Sequence, residues 1–500
     1  LLALYLAVSD IGVVRALPQS LSAGFAGAIG GAGCALCRNF GTGVGNGADM
    51  ASTRLYLLIE ETARELASRL LIANFALEQG FEVILAPQWA VWENLQDLQP
   101  GIVLFKGNNG AQSLIMRRAK AAGHLVASLE EEAFGVSDRR EIVRLYEPGI
   151  GASCDLFLTQ GLFHARCLAE RFPEIASRIR TTGNPRSDLL SATLSAPLRQ
   201  AARRLRETQG KFVLFNTNFG SINPRHGDAI TYFETCARLG IIDPDNAEDM
   251  DDLLTWCDWE RTNLSALMEL VGRLVSRGFP WRVVVRPHPS ENIDIWQRNL
   301  AGVDGVEVIR EGDHHAWTLA AQLLLHTSST TGLEAFLLGV PAIALCAGDN
   351  RWHQLYTANL VNQVDTSAAA AADTLFRFVD QSRIGDTRSA AGDPEGSRFK
   401  DQLADHMKVD QHRFAAEHVV EALVDLREQG AGGLASSTGQ ELIRAVALAD
   451  SKIDPGQFAL PAVAARLESL RTLLNRTEPV DVGFLGPGMI RLAVDRVGPV

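Results

Sequence analysis

From residue 55 onward, short apolar runs take turns with longer segments of helical periodicity. LYLLIE (55–60), FEVILAP (81–87), GIVLFKG (101–107), HLVASLEEE (124–132), CDLFLTQG (154–161) and RIRTTGNPR (178–186) read as strands. The stretches between them read as helices; ETARELASRLLIANFALEQG (61–80) is the clearest, with Gly80 placed to end it. Strand-helix alternation predicts a parallel sheet covered on both faces. SATLSAPLRQ (191–200) reads as a linker, after which the rhythm restarts with KFVLFNTN (211–218), WRVVVRPHP (281–289), VEVIRE (306–311), AQLLLHTSS (321–329) and VPAIAL (340–345). Residues 222–262 depart from it: they hold INPRHGD, the acidic run DPDNAEDMDD, and Trp256 and Trp259, which read as core or as a stacking surface for a sugar. A helix over 264–278, one long or two shorter helices over 399–427, and a helix near 461–475 complete the prediction. The expected fold is α/β, with two doubly wound Rossmann-type domains facing a central cleft. Their expected boundaries are 51–195 and 196–427, preceded by a non-conforming leader (1–50) and followed by a partly helical tail (428–500).

Composition narrows the class. The chain of 500 residues is 46% hydrophobic and 21% charged, ordinary for a globular protein of two or three domains. A net charge of −12 without a basic stripe argues against a nucleic-acid partner. Seven scattered cysteines fit a reducing compartment, so a cytoplasmic location is expected. Cys34 and Cys37 form a lone CxxC that nothing completes into a zinc set. The opening LLALYLAVSDIGVVRAL is apolar but broken by Asp10 and Arg15, and it lacks the basic start of a signal peptide. Residues 1–49 are rich in Gly and Ala, whereas Met50 opens MASTRLYLLIEE directly into the first strand; the natural start is therefore expected near Met50.

In open parallel sheets ligands bind beyond the carboxyl ends of the strands. One strand end carries HTSSTTGLEAFLLGVPAIAL (326–345). Thr327, Ser328, Ser329, Thr330 and Thr331 supply hydroxyls where a helix begins, Gly332 allows close backbone approach, and Glu334 lies one turn on, in reach of ribose hydroxyls. This fits an anion site at a helix N-terminus, or a plain N-cap. A second strand end carries RPHPSE (286–291), in which two prolines fix the backbone around His288 and Arg286 adds a positive charge. It reads as a phosphate site, or as a rigid strand exit.

These motifs, in order with Arg64 and Glu65 after the first strand, LEEEAFG (129–135), TGNPRSDLL (182–190) and LFNTNFG (214–220), resemble the bacterial surface carbohydrate biosynthesis family. Within it the set is similar to glycosyltransferases of the GT-B type that use CMP-activated sugars, the β-Kdo transferases and sialyltransferases. The resemblance spans roughly residues 54–427. It implies a transferase, expected to be cofactor-free and metal-independent because His288, Arg286 and a helix N-terminus can offset the phosphate charge. The donor is then CMP-Kdo or another CMP-nonulosonate and the acceptor a glycan or glycolipid, met in the cytoplasm or at the cytoplasmic face of the inner membrane. By the resemblance His288, Ser328 and Ser329 hold the CMP moiety, with Glu334 near the ribose. CDP-glycerol phosphotransferases and UDP-sugar 2-epimerases share similar C-terminal stretches and remain alternatives, as does a non-catalytic assembly scaffold.

A transferase needs a carboxylate to deprotonate the acceptor or to trap the sugar. Glu130, Glu131 and Glu132 follow a strand directly; Glu131 and Glu132 are the first candidates, with Asp188 as a further acid. Asn184, Arg186, Asn216 and Asn218, at strand exits, read as sugar or phosphate ligands or as turn and cap residues. Arg64 and Glu65 read as a helix-surface pair or as cleft residues. His314 and His315 form a ligand-like pair, but adjacent side chains are expected to point apart and to serve a loop or cap.

Overall fold

The computed structural model describes residues 53–238, 242–383, 403–410, 412–430, 441–446 and 452–494. The leader, the CxxC pair, Met50 and the Gly/Ser-rich patch after residue 430 lie outside them. The first sheet holds β1 (Arg54–Ile59), β2 (Glu82–Pro87), β3 (Gly101–Phe105), β4 (Leu125–Leu129), β5 (Leu156–Thr159) and β6 (Ile179–Thr181), parallel in the order β2-β1-β3-β4-β5-β6. Every residue of β1 is buried. Leu55, Leu57 and Ile59 enter one apolar layer and Tyr56 and Leu58 the other, because side chains alternate along a strand and helices cover both faces.

The second sheet is parallel throughout. It holds β7 (Phe212–Asn216), β8 (Arg282–Arg286), β9 (Val306–Val308), β10 (Leu323–His326), β11 (Ala342–Leu345) and β12 (Gln363–Asp365), in the order β12-β11-β10-β7-β8-β9. That is the doubly wound dinucleotide-fold order, whose direction reverses between β7 and β10; in the first sheet the reversal falls between β1 and β3. The protein is thus α/β and GT-B-like, with two Rossmann-type units. Among the described residues, no helix is long and apolar enough to cross a membrane.

Three expectations need correction. Residues 222–262 are largely helical: Ala229–Arg238 is one helix, and a single helix runs from Ala247 to Ser276. The acidic run is its N-terminus. Asn246 accepts hydrogen bonds from the N–H groups of Glu248 and Asp249, whose acids also suit the positive end of the helix dipole. Asn246→Ala should cost about 1 kcal/mol, read from the urea midpoint. Second, the helix expected to close the second unit, Ala415–Gly430, packs instead on Thr62–Glu78 of the first. Third, the tail does more than form a helix. Leu460–Leu473 packs on Thr62–Glu78, and a hairpin of β13 (Val480–Gly486) and β14 (Met489–Val494) extends the first sheet, β14 lying antiparallel to β2. Partner choice for such an edge hairpin is long-range and leaves no local signature.

The units are sewn together as well as connected. Ser137 N–H donates to Leu355 O and Thr357 N–H to Gly135 O, each at 2.8 Å, around a strand-like Val136–Tyr356 bridge. Trp256 and Trp259 are buried in an apolar cluster that draws on both units, with Phe134, Val136 and Ile142 from the first. They serve as core. Asp252 lies beside them and takes Arg140 (2.8 Å) and Arg144 (2.6 Å) from the first unit and Arg351 from the second.

Candidate functional site

At the reversal of the first sheet, Lys106 leaves β3 and pairs with Glu60, which leaves β1. Glu65 is buried beneath: its carboxylate accepts Glu60 N–H at 2.7 Å and lies 3.3 Å from Lys106 Nζ. Arg64 reaches across to Glu132 at 3.0 Å. Arg64 and Glu65 therefore do not form a helix-surface pair: Arg64 pairs with Glu132 directly, and Glu65 is joined to it through Lys106.

The three consecutive glutamates turn three ways. Glu130 accepts a hydrogen bond from Asn108 at 2.8 Å, and burial pushes its carboxyl up to about 8. Glu131 points inward to Arg69 at 3.0 Å; the pair is 1% and 0% exposed and belongs to the interior rather than the cleft. Burial also works against ionisation of Glu132, but Arg64 and Lys106 outweigh it and hold the carboxylate below its ordinary range. Neighbouring acids with opposite protonation are the pattern of an acid-base site. Asp188 is engaged elsewhere. Its two oxygens accept the N–H groups of Ala415 and Ala416 at 2.9 Å each and so cap that helix.

The Glu130 shift has a measurable sign. Below the ordinary glutamate range both the folded and the unfolded chain hold this proton. Between that range and about 8 only the folded chain does, so stability falls as pH rises through this window. Glu130→Gln should flatten that slope and raise stability at pH 8, as seen in paired urea titrations at pH 6 and pH 8.

In the second unit, Thr327 Oγ1 donates to Asn218 Oδ1 at 2.5 Å and Asn218 Nδ2 donates to Ser328 O at 3.0 Å, across the β7/β10 reversal. Ser328 sits at φ 58, a left-handed conformation unusual outside glycine, and its Oγ accepts from Asn359 at 2.7 Å. Ser329 caps the helix Thr330–Leu338, and Thr330 packs on Gly135 of the first unit. Thr327, Ser328 and Asn218 are thus buried and tied together at the ends of β7 and β10, and Ser329 opens the helix that follows. Gly332 does allow close approach, but to the imidazole of His326 buried beneath it. Asn216 ends β7 buried, and its Oδ1 finds no hydrogen-bond partner among the described residues.

At the end of β8, Arg286 donates to the carbonyls of Glu311 (2.8 Å) and Gly312 (2.5 Å), so it fixes the loop before His314 rather than facing a phosphate. His288 is held by its own loop: Nδ1 accepts from Ser290 N–H at 3.2 Å, and its N–H donates to Glu291 at 3.0 Å. Burial, with help from the charges of Arg310, His314 and Arg64, lowers its pKa to about 4. The ring is neutral at pH 7 and, with Nδ1 accepting, carries its proton on Nε2.

Glu334 joins the two halves. It lies 3.2 Å from His314 Nε2, 3.5 Å from His315 Nε2 and 3.5 Å from Arg186 of the first unit. Burial opposes ionisation there, yet the two imidazoles hold the carboxylate well below its ordinary range. Arg186 also stacks over Phe134 at 4.4 Å. Asn184 caps the short turn that presents Arg186, and its own buried Nδ2 has no partner among the described residues. The structure thus brings together Arg64, Glu132, Arg186, His288 and Glu334, and adds Lys106, Glu130, His314 and His315; Asn184 enters as the cap of the turn that carries Arg186, and Ser329 as the cap of the helix that carries Glu334. Contrary to expectation, the adjacent histidines lie side by side, with ring centroids 3.8 Å apart. Asp313 capping their helix was the available sign, since it fixes the turn that carries both rings.

No protein-family model matches the chain, and no curated protein matches it. Among solved structures, a protein designated a UDP-N-acetylglucosamine 2-epimerase from Listeria monocytogenes shows 14% identity and a TM-score of 0.47 over 79% of this chain and 100% of that one. The wall teichoic acid polymerase TagF shows 11% identity and a TM-score of 0.44, covering 76% and 90%. A UDP-GlcNAc 2-epimerase from Methanocaldococcus jannaschii shows 14% identity and a TM-score of 0.42, covering 75% and 100%.

Proposed function

We propose that the protein is a GT-B-type glycosyltransferase of bacterial surface polysaccharide assembly. It transfers a sugar from a nucleotide-activated donor, CMP-Kdo or another CMP-nonulosonate, to a glycan or glycolipid acceptor. The observation that carries this reading is the ring of charges around the cleft, with Arg64, Lys106 and Glu132 on one side and Arg186, Glu334 and the histidine pair on the other. Enclosing so many charges is unfavourable unless they are used, and perturbed groups gather where chemistry occurs. The donor phosphate would meet the positive end of the helix opened by Ser329 and the imidazole of His288. Glu132, kept ionised by Arg64 and Lys106, is the carboxylate able to take the acceptor proton, whereas Glu130 holds its own proton up to about 8 and can donate it.

Donor binding tests this first. CMP should raise the melting temperature of the wild type more than CDP, UDP or GDP, and His288→Ala should abolish the effect. CMP-Kdo is then the substrate to assay, with Glu130→Gln expected to lower kcat. A second reading, a UDP-sugar 2-epimerase, draws on the opposite protonation of Glu130 and Glu132, since elimination and re-addition need an acid and a base and no acceptor. A preference for UDP, with UDP-N-acetylglucosamine consumed in the absence of any acceptor, would decide for it. No response to any nucleotide would leave the scaffold.

A further inference from the structure

We propose that His314, His315 and Glu334, with Asp313 alongside, bind a divalent transition-metal cation. Both imidazoles turn the same way at the start of the helix His314–Ala320, and both reach one carboxylate oxygen: Glu334 Oε2 lies 3.2 Å from His314 Nε2 and 3.5 Å from His315 Nε2. In a four-coordinate site with bonds of about 2.0–2.1 Å, neighbouring ligand atoms stand about 3.4 Å apart, so these contacts have the edge lengths of a metal site. His315 Nε2 is buried and makes no hydrogen bond among the described residues. Asp313, His314 and His315 by themselves offer ligand atoms that all lie within 4.8 Å of one another, although Asp313 faces Nδ1 of His315 (3.9 Å), the ring nitrogen turned away from Glu334. Two imidazoles with carboxylate oxygen suit zinc and its neighbours, whereas magnesium and calcium prefer all-oxygen sets.

The surroundings are built to hold these ligands. Arg286 ties the carbonyls of Glu311 and Gly312, Trp317 Nε1–H donates to Glu311 O at 2.9 Å, and Asp313 Oδ1 caps the helix through His315 N–H (2.9 Å) and Ala316 N–H (3.0 Å). The loop before the histidines is therefore fixed from both sides. Arg186, 3.5 Å from the other oxygen of Glu334, leaves Oε2 to the imidazoles.

The site stands whether or not a nucleotide binds, and its test does not use activity. The full chain, freed of any histidine tag, is titrated with Zn2+ by calorimetry and with Co2+ by visible absorption. One equivalent of each should bind, with the cobalt spectrum showing the intense d–d bands of a four- or five-coordinate ion. His315→Ala, Glu334→Gln and His314→Ala should each weaken binding by more than the roughly 10–100-fold that loss of an outer-shell partner costs. His314 has a side chain 44% exposed, so its replacement tests the site without risk to folding, which circular dichroism checks in each variant. Absence of saturable one-equivalent binding, or wild-type affinity in folded His314→Ala, overturns the proposal.

Discussion

Arg69→Met should remove about 3–5 kcal/mol of stability, the cost of stranding one partner of a buried ion pair. Arg69 is 0% exposed and its Nε donates to Leu58 O at 3.1 Å, which fixes the guanidinium beneath the end of β1. Its only ion partner among the described residues is Glu131, at 3.0 Å. Neither oxygen of Glu131 has a well-directed hydrogen bond among those residues, so only the more distant charges of Arg64 and Arg186 remain to offset the carboxylate once the arginine is gone. The double change Arg69→Met with Glu131→Leu should recover most of the loss, because a filled apolar interior replaces the pair. Urea denaturation of the two single variants and the double variant gives the coupling energy. A loss below about 1 kcal/mol in Arg69→Met would mean that the pair contributes no more than an exposed bridge does, despite its burial.

Gly332→Ala should both destabilise the protein and erase the nucleotide binding proposed for it. The glycine has no left-handed conformation to protect; its constraint is space. A Cβ there would come closer than 3.0 Å to three ring atoms of His326. That ring cannot yield easily: it is fully buried, and burial lowers its pKa to about 3, so it stays neutral and wedged, with Nδ1 accepting Ser329 N–H at 3.2 Å. Overpacking of this kind costs about 1–3 kcal/mol. The larger effect is local. Either the helix Thr330–Leu338 lifts away or the ring is displaced, and both move Ser329, which caps that helix and donates to that ring. The melting temperature should fall, and any nucleotide-induced rise should vanish. Adding His326→Ala should restore much of the stability, which would assign the loss to this contact.

Much of this architecture is legible from the chain. Apolar runs such as LYLLIE and KFVLF announce strands buried on both faces, and the polar residues that end them mark the cleft side. The site was legible at the level of strand ends, not of side chains. Glu131 and Glu132 are neighbours in sequence, yet a three-residue helical turn over Glu131–Ala133 sends one into the interior and leaves the other among cations. Asp188 looks like an acid at a strand exit until the helix Ala415–Gly430 arrives from more than 200 residues away and claims it. Arg286 and Arg186 differ only in what the fold sets opposite them: backbone carbonyls for one, a carboxylate for the other. The long helix from Ala247 was hidden by its acidic start, although Leu253, Trp256, Glu260, Asn263, Leu267 and Leu270 recur on one buried face.

The C-terminal hairpin has a consequence for how the chain is made. β2 forms the outer parallel strand of the first sheet, and β14 covers its free edge only after about 400 further residues have been synthesised. At about 5–20 residues per second, that edge waits about 20–80 s, with its backbone donors and acceptors open to any passing strand. The first unit to emerge is therefore the last to be finished. A chain halted before Met489 carries a complete second unit beside a sheet that still offers its edge.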